Sequence, residues 1–301
     1  MRVFYYITLL SFLFACKSTT SPEQQTVVAA LEAYKKQPSD STAQKVLTSI
    51  DAYIEIKGYA DSTSAQYILE AARIASDQNQ IQQSIDYYKT YIVEYPDRKD
   101  IPNRITDVIT LVEKQNKPEL NQILYKSFSN RFPQDERTAT FTGKIENKET
   151  SVDSMVKFIG MNMFNDSTFR LNEERSLLYI DACEMAVMAD PTLRDAPEHL
   201  HRAAETSRTL RDIPRAIDLY DWIIEKYPTH NRAATSLFLK AFTYDNDLKD
   251  FKKAEVHYND FLARYPDNEF AESAKFLLDN LGKSEEELKK MLEEKSKENV
   301  Q

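Results

Sequence analysis

Glycine is scarce in this chain of 301 residues: Gly58, Gly143, Gly160 and Gly282 are all it has. That poverty excludes a phosphate-cradling P-loop, a dinucleotide fingerprint and a nucleophile elbow, each of which needs clustered glycines for tight backbone turns. Cysteine is scarcer, with Cys16 and Cys183 alone. Histidine is limited to four residues, of which only His199 and His201 are close in sequence. At i and i+2 on a helix that pair points to nearly opposite faces, so a shared metal ion is not expected. His230 and His257 stand alone. No acid–base–nucleophile set recurs at a useful spacing, and neither catalytic residues, a cofactor nor a metal is expected. Positive charge is also in deficit, with 39 basic against 48 acidic residues and a net charge of −9. An acidic surface repels phosphate backbones, so nucleic acid is not an expected partner.

A long hydrophobic run is missing too. The apolar stretch at the start, Val3 to Ala15, has thirteen residues. That length suits a secretory signal and is too short to span a bilayer as a helix. Arg2 precedes it and Cys16 follows. The segment Leu13-Phe14-Ala15-Cys16 resembles the lipobox of bacterial lipoproteins, with Phe14 bulkier than the usual residue at its place. The resemblance implies removal of residues 1–15 and lipid attachment to Cys16, with 16–21 as a short tether. Each buried methylene of an acyl chain contributes about 0.8 kcal/mol, and more than one chain gives stable anchoring. Lys17 after the cysteine fits the outer-membrane case. Cys183 would then be the only thiol left, which precludes an internal disulfide and leaves stability to packing.

What the chain has in abundance is helix signal. Ser21-Pro22-Glu23-Gln24 reads as a capped helix start. Helices are expected near 22–37, 41–57, 62–77, 80–95, 101–115 and 119–132, then 151–165, 168–189, 196–210, 212–227, 231–245, 250–265, 269–281 and 284–298. No stretch alternates long enough to mark a strand, so the fold is expected to be all-α. The intervening segment 134–150, with "TATFTGK" at its centre, is rich in β-branched residues; it is expected as a loop or frayed helix that contributes little core.

A thirteen-residue frame recurs: "SIDYYKTYIVEYP" (Ser84 to Pro96), "NQILYKSFSNRFP" (Asn121 to Pro133), "AIDLYDWIIEKYP" (Ala216 to Pro228) and "AEVHYNDFLARYP" (Ala254 to Pro266). Helix ends at Gly58, Pro96, Pro133, Pro191, Pro228 and Pro266 fall 38, 37, 58, 37 and 38 residues apart. A period in the thirties built from helix pairs indicates a helical solenoid. The small residue, the aromatic four later, the apolar residue three later and the closing proline resemble the second helix of the tetratricopeptide repeat. Ala216, Tyr220, Ile223 and Pro228 fill those places, as do Ala254, Tyr258, Phe261 and Pro266. The copy around Tyr179 carries Cys183 in place of the aromatic, so a buried and inert thiol is expected there. Phe242 stands where the family prefers glycine.

The resemblance implies a right-handed α-solenoid of about seven antiparallel helix pairs, divided as 22–133, the insert 134–150, and 151–281, with 282–301 as capping helix and tail. It also implies a protein or peptide partner held on the first helices. Their groove positions map to Glu198, His201, Arg202, Glu205 and Arg208, then Ser236, Leu239, Lys240, Thr243 and Asn246. With the lipobox, the chain resembles the repeat-bearing outer-membrane lipoproteins of envelope assembly complexes, which implies a periplasmic scaffold anchored to the membrane by lipid. A second resemblance, to the glycan-binding starch-utilisation D lipoproteins, implies sugar-stacking aromatics on large insertions; here the sizeable insert holds Phe141 alone.

Overall fold

The computed structural model describes residues 20–164, 170–283, 286, 287, 289 and 290. Cys16 and most of the expected capping helix 284–298 lie outside them. The chain divides into two compact units at Asp97 and Arg98. Every regular element among the described residues is helical, apart from one isolated bridge between Phe164 and Leu171. No described helix is long and apolar enough to cross a membrane.

The first unit holds α1 (Pro22–Lys36), α2 (Asp40–Lys57), α3 (Ser64–Asp77) and α4 (Ile81–Glu94). Ser21 caps α1 by accepting from the Gln24 amide at 3.3 Å, as the serine–proline start predicts. Gly58 ends α2 at φ 70°, a backbone shape that suits a residue without Cβ. Val27, Leu47, Ile50, Tyr53 and Ala71 meet in the core between α1, α2 and α3.

The second unit opens with α5 (Ile101–Lys114) and α6 (Pro118–Arg131), followed by α7 (Arg137–Lys144). Then come α8 (Val152–Met161), α9 (Glu173–Ala189), α10 (Ala196–Thr209) and α11 (Ile213–Lys226). It continues through α12 (Asn231–Phe242), a π-helical turn over Thr243–Asp247, α13 (Phe251–Arg264) and α14 (Ala271–Asp279).

The repeated frame has a repeated physical result. Ser84, Ala216 and Ala254 are fully buried, as are Tyr220, Tyr258, Ile223 and Phe261. A small residue lets the second helix approach the first, and the aromatic fills the layer beside it. Where the frame departs from alanine, Ser84 donates its hydroxyl to the Ala72 carbonyl at 2.8 Å, so the buried oxygen is satisfied. The closing aromatic–proline pair stops the helix identically four times. Tyr95, Phe132, Tyr227 and Tyr265 sit at φ −127°, −124°, −129° and −135°, outside the helical region. A following proline excludes helical backbone at that residue. The hydroxyl then adds a strap: Tyr95 donates to the Tyr59 carbonyl at 2.8 Å and Tyr227 to the Pro191 carbonyl at 3.0 Å, each reaching back 36 residues. The turns inside the pairs do without glycine: Asn79, Asn116, Arg211 and Lys249 take φ between 54° and 66°.

Two expectations need correction. The insert is not a loop or frayed end: α7 runs for eight residues and packs on α6. Phe141 is buried, stacked on Tyr125 at 5.5 Å and edge-on to Phe128 at 4.9 Å, and Ile145 is buried beside it. Asp135 fastens its start by accepting from the Arg137 guanidinium at 2.7 and 2.6 Å. The insert is therefore part of the core. Further on, α8 ends at Met161 and α9 starts only at Glu173, where the Asn172 side chain accepts from the Arg175 amide at 3.0 Å. Packed against α6, α8 and α10, α9 is buried around most of its circumference. Its charges are paired accordingly: Arg215 donates to Asp181 at 2.7 Å and to Glu184 at 2.6 Å, and Lys117 to Asp181 at 2.8 Å.

Candidate binding cleft on the first helices

Within the second unit, α8, α9, α10 and α12 enclose a cleft of about 690 Å³. Its existence depends on Gly160. A Cβ there would come 2.7 Å from the Tyr179 ring, so only glycine lets α8 lie this close to α9. Met161, Met163, Phe164 and Tyr179 supply one wall. Met161 and Phe164 are largely exposed, at 79% and 46%, which is unusual for side chains of that size gathered in one place.

The other wall is α10. Glu198, His201, Arg202 and Glu205 all line the cleft, as the repeat frame places them, and Arg232 closes it from the start of α12. Glu198 accepts from Arg202 Nε at 2.9 Å, from Arg232 Nε at 2.7 Å and from Arg232 Nη2 at 3.1 Å. Burial pushes the Glu198 carboxyl up, but these two guanidinium groups outweigh it and hold the group below its ordinary range. Glu205 accepts from the Tyr220 hydroxyl and faces Arg208 at 3.8 Å. His201 is buried, and neither ring nitrogen has a hydrogen-bond partner among the described residues. Burial first, then the nearby Arg232 charge, lower its pKa and favour the neutral ring.

Most of the remaining groove positions are withdrawn from the cleft. Arg208 leaves the cleft: its Nε donates to the nearly buried Asp247 at 2.6 Å, and its guanidinium lies 5.2 Å over the Phe242 ring. Ser236 and Thr243 are buried, the latter donating to the Leu239 carbonyl at 2.8 Å. Lys240 is held by Asp221 at 2.6 and 2.8 Å. Leu239 is half-buried; Asn246 is exposed. The frame assigned exposed groove positions to all five residues, but only Ser236, Leu239 and Lys240 lie on α12, where packing against α13 and the π-helical turn withdraws them, while Thr243 and Asn246 belong to the turn itself. Sequence reasoning missed Tyr179, Arg232 and the α8 wall. The one signal for that wall was Gly160, an isolated glycine inside a helical pattern.

The other candidate groups are fixed in place. Cys183 is buried in the aromatic position of the frame, and burial pushes its thiol well above the usual range. A thiol so desolvated is a poor nucleophile. Donor atoms of Asp153, Asp195 and His199 lie within 4.8 Å of one another. Each already has a partner, since His199 Nε2 bonds Asp153 at 2.8 Å and Lys157 donates to Asp195 at 2.7 Å.

The family model of the tetratricopeptide repeat matches residues 235–268, which takes in most of α12, the π-helical turn and α13. The chain is all-α, built of helix pairs of the tetratricopeptide-like solenoid kind. No curated protein matches it. Among solved structures it is similar to the MamA RS-1 ArsTM double mutant, at 10% identity and a TM-score of 0.31, over 70% of this chain and 98% of that one. It is also similar to a tetratricopeptide repeat protein from Parabacteroides merdae, at 10% identity and a TM-score of 0.30, over 89% of this chain and 98% of that one.

Proposed function

We propose that the protein is a non-catalytic scaffold for protein–protein interaction in the bacterial envelope, lipid-anchored through Cys16 and facing the periplasm from the outer membrane. The observation that carries the scaffold reading is the tetratricopeptide repeat at 235–268 on a chain of such helix pairs, an architecture whose stacked surfaces hold partners. The anchor rests on the lipobox-like Leu13 to Cys16. The net charge of −9 supports a protein partner over nucleic acid. A place in an envelope assembly complex follows from the joint occurrence of repeat and lipobox. The insert lends nothing to glycan binding, because Phe141, its one aromatic, is buried against Tyr125 and Phe128.

Crosslinking in the native host, with identification of the captured proteins, tests the scaffold. Recovery of one envelope protein with the wild type, lost with Arg202→Glu, is expected. Fractionation tests the anchor: Cys16→Ser should leave the chain unprocessed or release it from the membrane. A processed mutant that still needs detergent removes the lipid from the account.

A further inference from the structure

The cleft is local. It stops at Arg232, and beyond it Ser236 is buried and Lys240 is held by Asp221, so an extended chain laid along α10 and α12 has no continuous track. Its volume of about 690 Å³ falls within the range of about 300–1,000 Å³ that small ligands occupy. Its composition is also that of a ligand site, with apolar walls and a few convergent polar groups.

The hydrogen-bonding balance of those polar groups is one-sided. Both carboxylate oxygens of Glu198 are taken by guanidinium groups, while Glu205 accepts from the Tyr220 hydroxyl on one oxygen and faces Arg208 at 3.8 Å with the other. The carboxylates that line the cleft are thus paired. Its donors are not. Nη1 and Nη2 of Arg202, and Nη1 of Arg232, make no hydrogen bond among the described residues, and the buried Nδ1 of His201 beside them has no partner. Lys157 gives one of its three N–H groups to Asp195. Unused planar donors select a planar, acceptor-only group, which a carboxylate is. The opposite wall of Met161, Met163, Phe164 and Tyr179 selects an apolar body attached to it.

We propose that this cleft binds a small organic acid, its carboxylate on the Arg202 and Arg232 guanidinium edges with the His201 ring beside it, and its apolar body against Phe164 and the α8 methionine. The ligand leaves the Glu198 bridge in place, because Arg232 Nε holds that carboxylate from the other side. The site shares Arg202 with the partner-capture test above, but it does not rest on the scaffold reading, because it is probed on the isolated chain with small acids alone.

Calorimetry on the full chain tests the idea with 4-phenylbutanoate, 4-phenylbutan-1-ol and 4-phenylbutylamine as probes. The acid should bind with a Kd below about 1 mM and the amine should not bind. Arg202→Gln should weaken the acid at least ~10-fold, since charge-assisted bonds contribute about 1.5–3 kcal/mol each. Arg202 is exposed, so this variant should melt like the wild type. Phe164→Ala should weaken acid and alcohol alike. Equal affinity for acid and alcohol, or acid binding that survives Arg202→Gln unchanged, overturns the carboxylate assignment. No heat from the acid at 10-fold excess over about 1 mM overturns the site itself.

Discussion

Helices α10 and α12 hold the same place in successive pairs, yet one borders an open cleft and the other is packed shut. Four of five mapped positions on α10 line the cleft; none of the five on α12 and the turn after it does. The difference does not come from the helices' own frames, which both set small residues against the next helix, Ala203 and Ala204 in one, Ala233 and Ala234 in the other. It comes from their neighbours. Before α10 stands α8, only ten residues long and drawn onto Tyr179 by Gly160. After α12 the π-helical turn brings Asp247 onto Arg208 and folds the chain back over the helix end. A repeat fixes where a side chain starts; the adjoining pair decides whether solvent reaches it.

The comparison can be broken at its base. Tyr220 and Tyr258 sit at the same frame position and are both fully buried. Either truncation to alanine should cost about 3–5 kcal/mol in chemical denaturation. A cost for Tyr258→Ala below about 1 kcal/mol would mean that the closed half is looser than its burial implies. A charge reversal sharpens the contrast within α10. Arg208→Glu leaves the nearly buried Asp247 facing a like charge and should cost about 3 kcal/mol. Arg202→Glu touches an exposed pair and should cost about 1 kcal/mol or less. Equal melting shifts for the two would contradict the division of roles.

Acid should weaken the open side. The Glu198 carboxyl is held below its ordinary range, so its contribution to stability is complete above about pH 4.3 and is lost as pH falls through the lower folded value. The same sign holds for Asp195, lowered chiefly by its bond from Lys157. Stability measured between pH 5.5 and 3 should fall with pH, and Glu198→Gln should flatten that slope; an unchanged slope would locate the acid sensitivity elsewhere. The smallest effect belongs to a turn. Lys249 adopts φ 55° where the equivalent turns at 79 and 116 use asparagine, which tolerates that region better. Lys249→Asn should gain less than ~1 kcal/mol, and Asn79→Lys should lose a similar amount.

Most of the fold was legible because its instructions are local. Prolines, caps and the small–aromatic spacing act within one helix pair, so they located thirteen of the fourteen described α-helices without any knowledge of what lies across from them. The insert was misread because Thr138, Thr140 and Thr142 argue against a helix on propensity. What decides α7 is Phe141 finding a slot between Tyr125 and Phe128, a contact that no local pattern announces. The α10 half of the cleft was readable from the frame alone. The α8 half was not, because it depends on where α8 stops and on one ring meeting one glycine. Ser236 and Thr243 show the converse, a correct helix face whose exposure was set by the turn after it.

The straps from Tyr95 and Tyr227 carry a consequence for how the sequence can drift. In both, the acceptor is a main-chain carbonyl, at Tyr59 and at Pro191. Every amino acid brings that carbonyl, so substitution at 59 or 191 cannot delete it, and the whole mutational vulnerability of the tie sits on the donor side. Phe132, at the equivalent place, has already lost its hydroxyl while keeping its ring 5.2 Å from Phe128. Loss of one atom is therefore enough to untie either joint, and a single-base lesion in the codon of Tyr95 or Tyr227 is enough to cross that line.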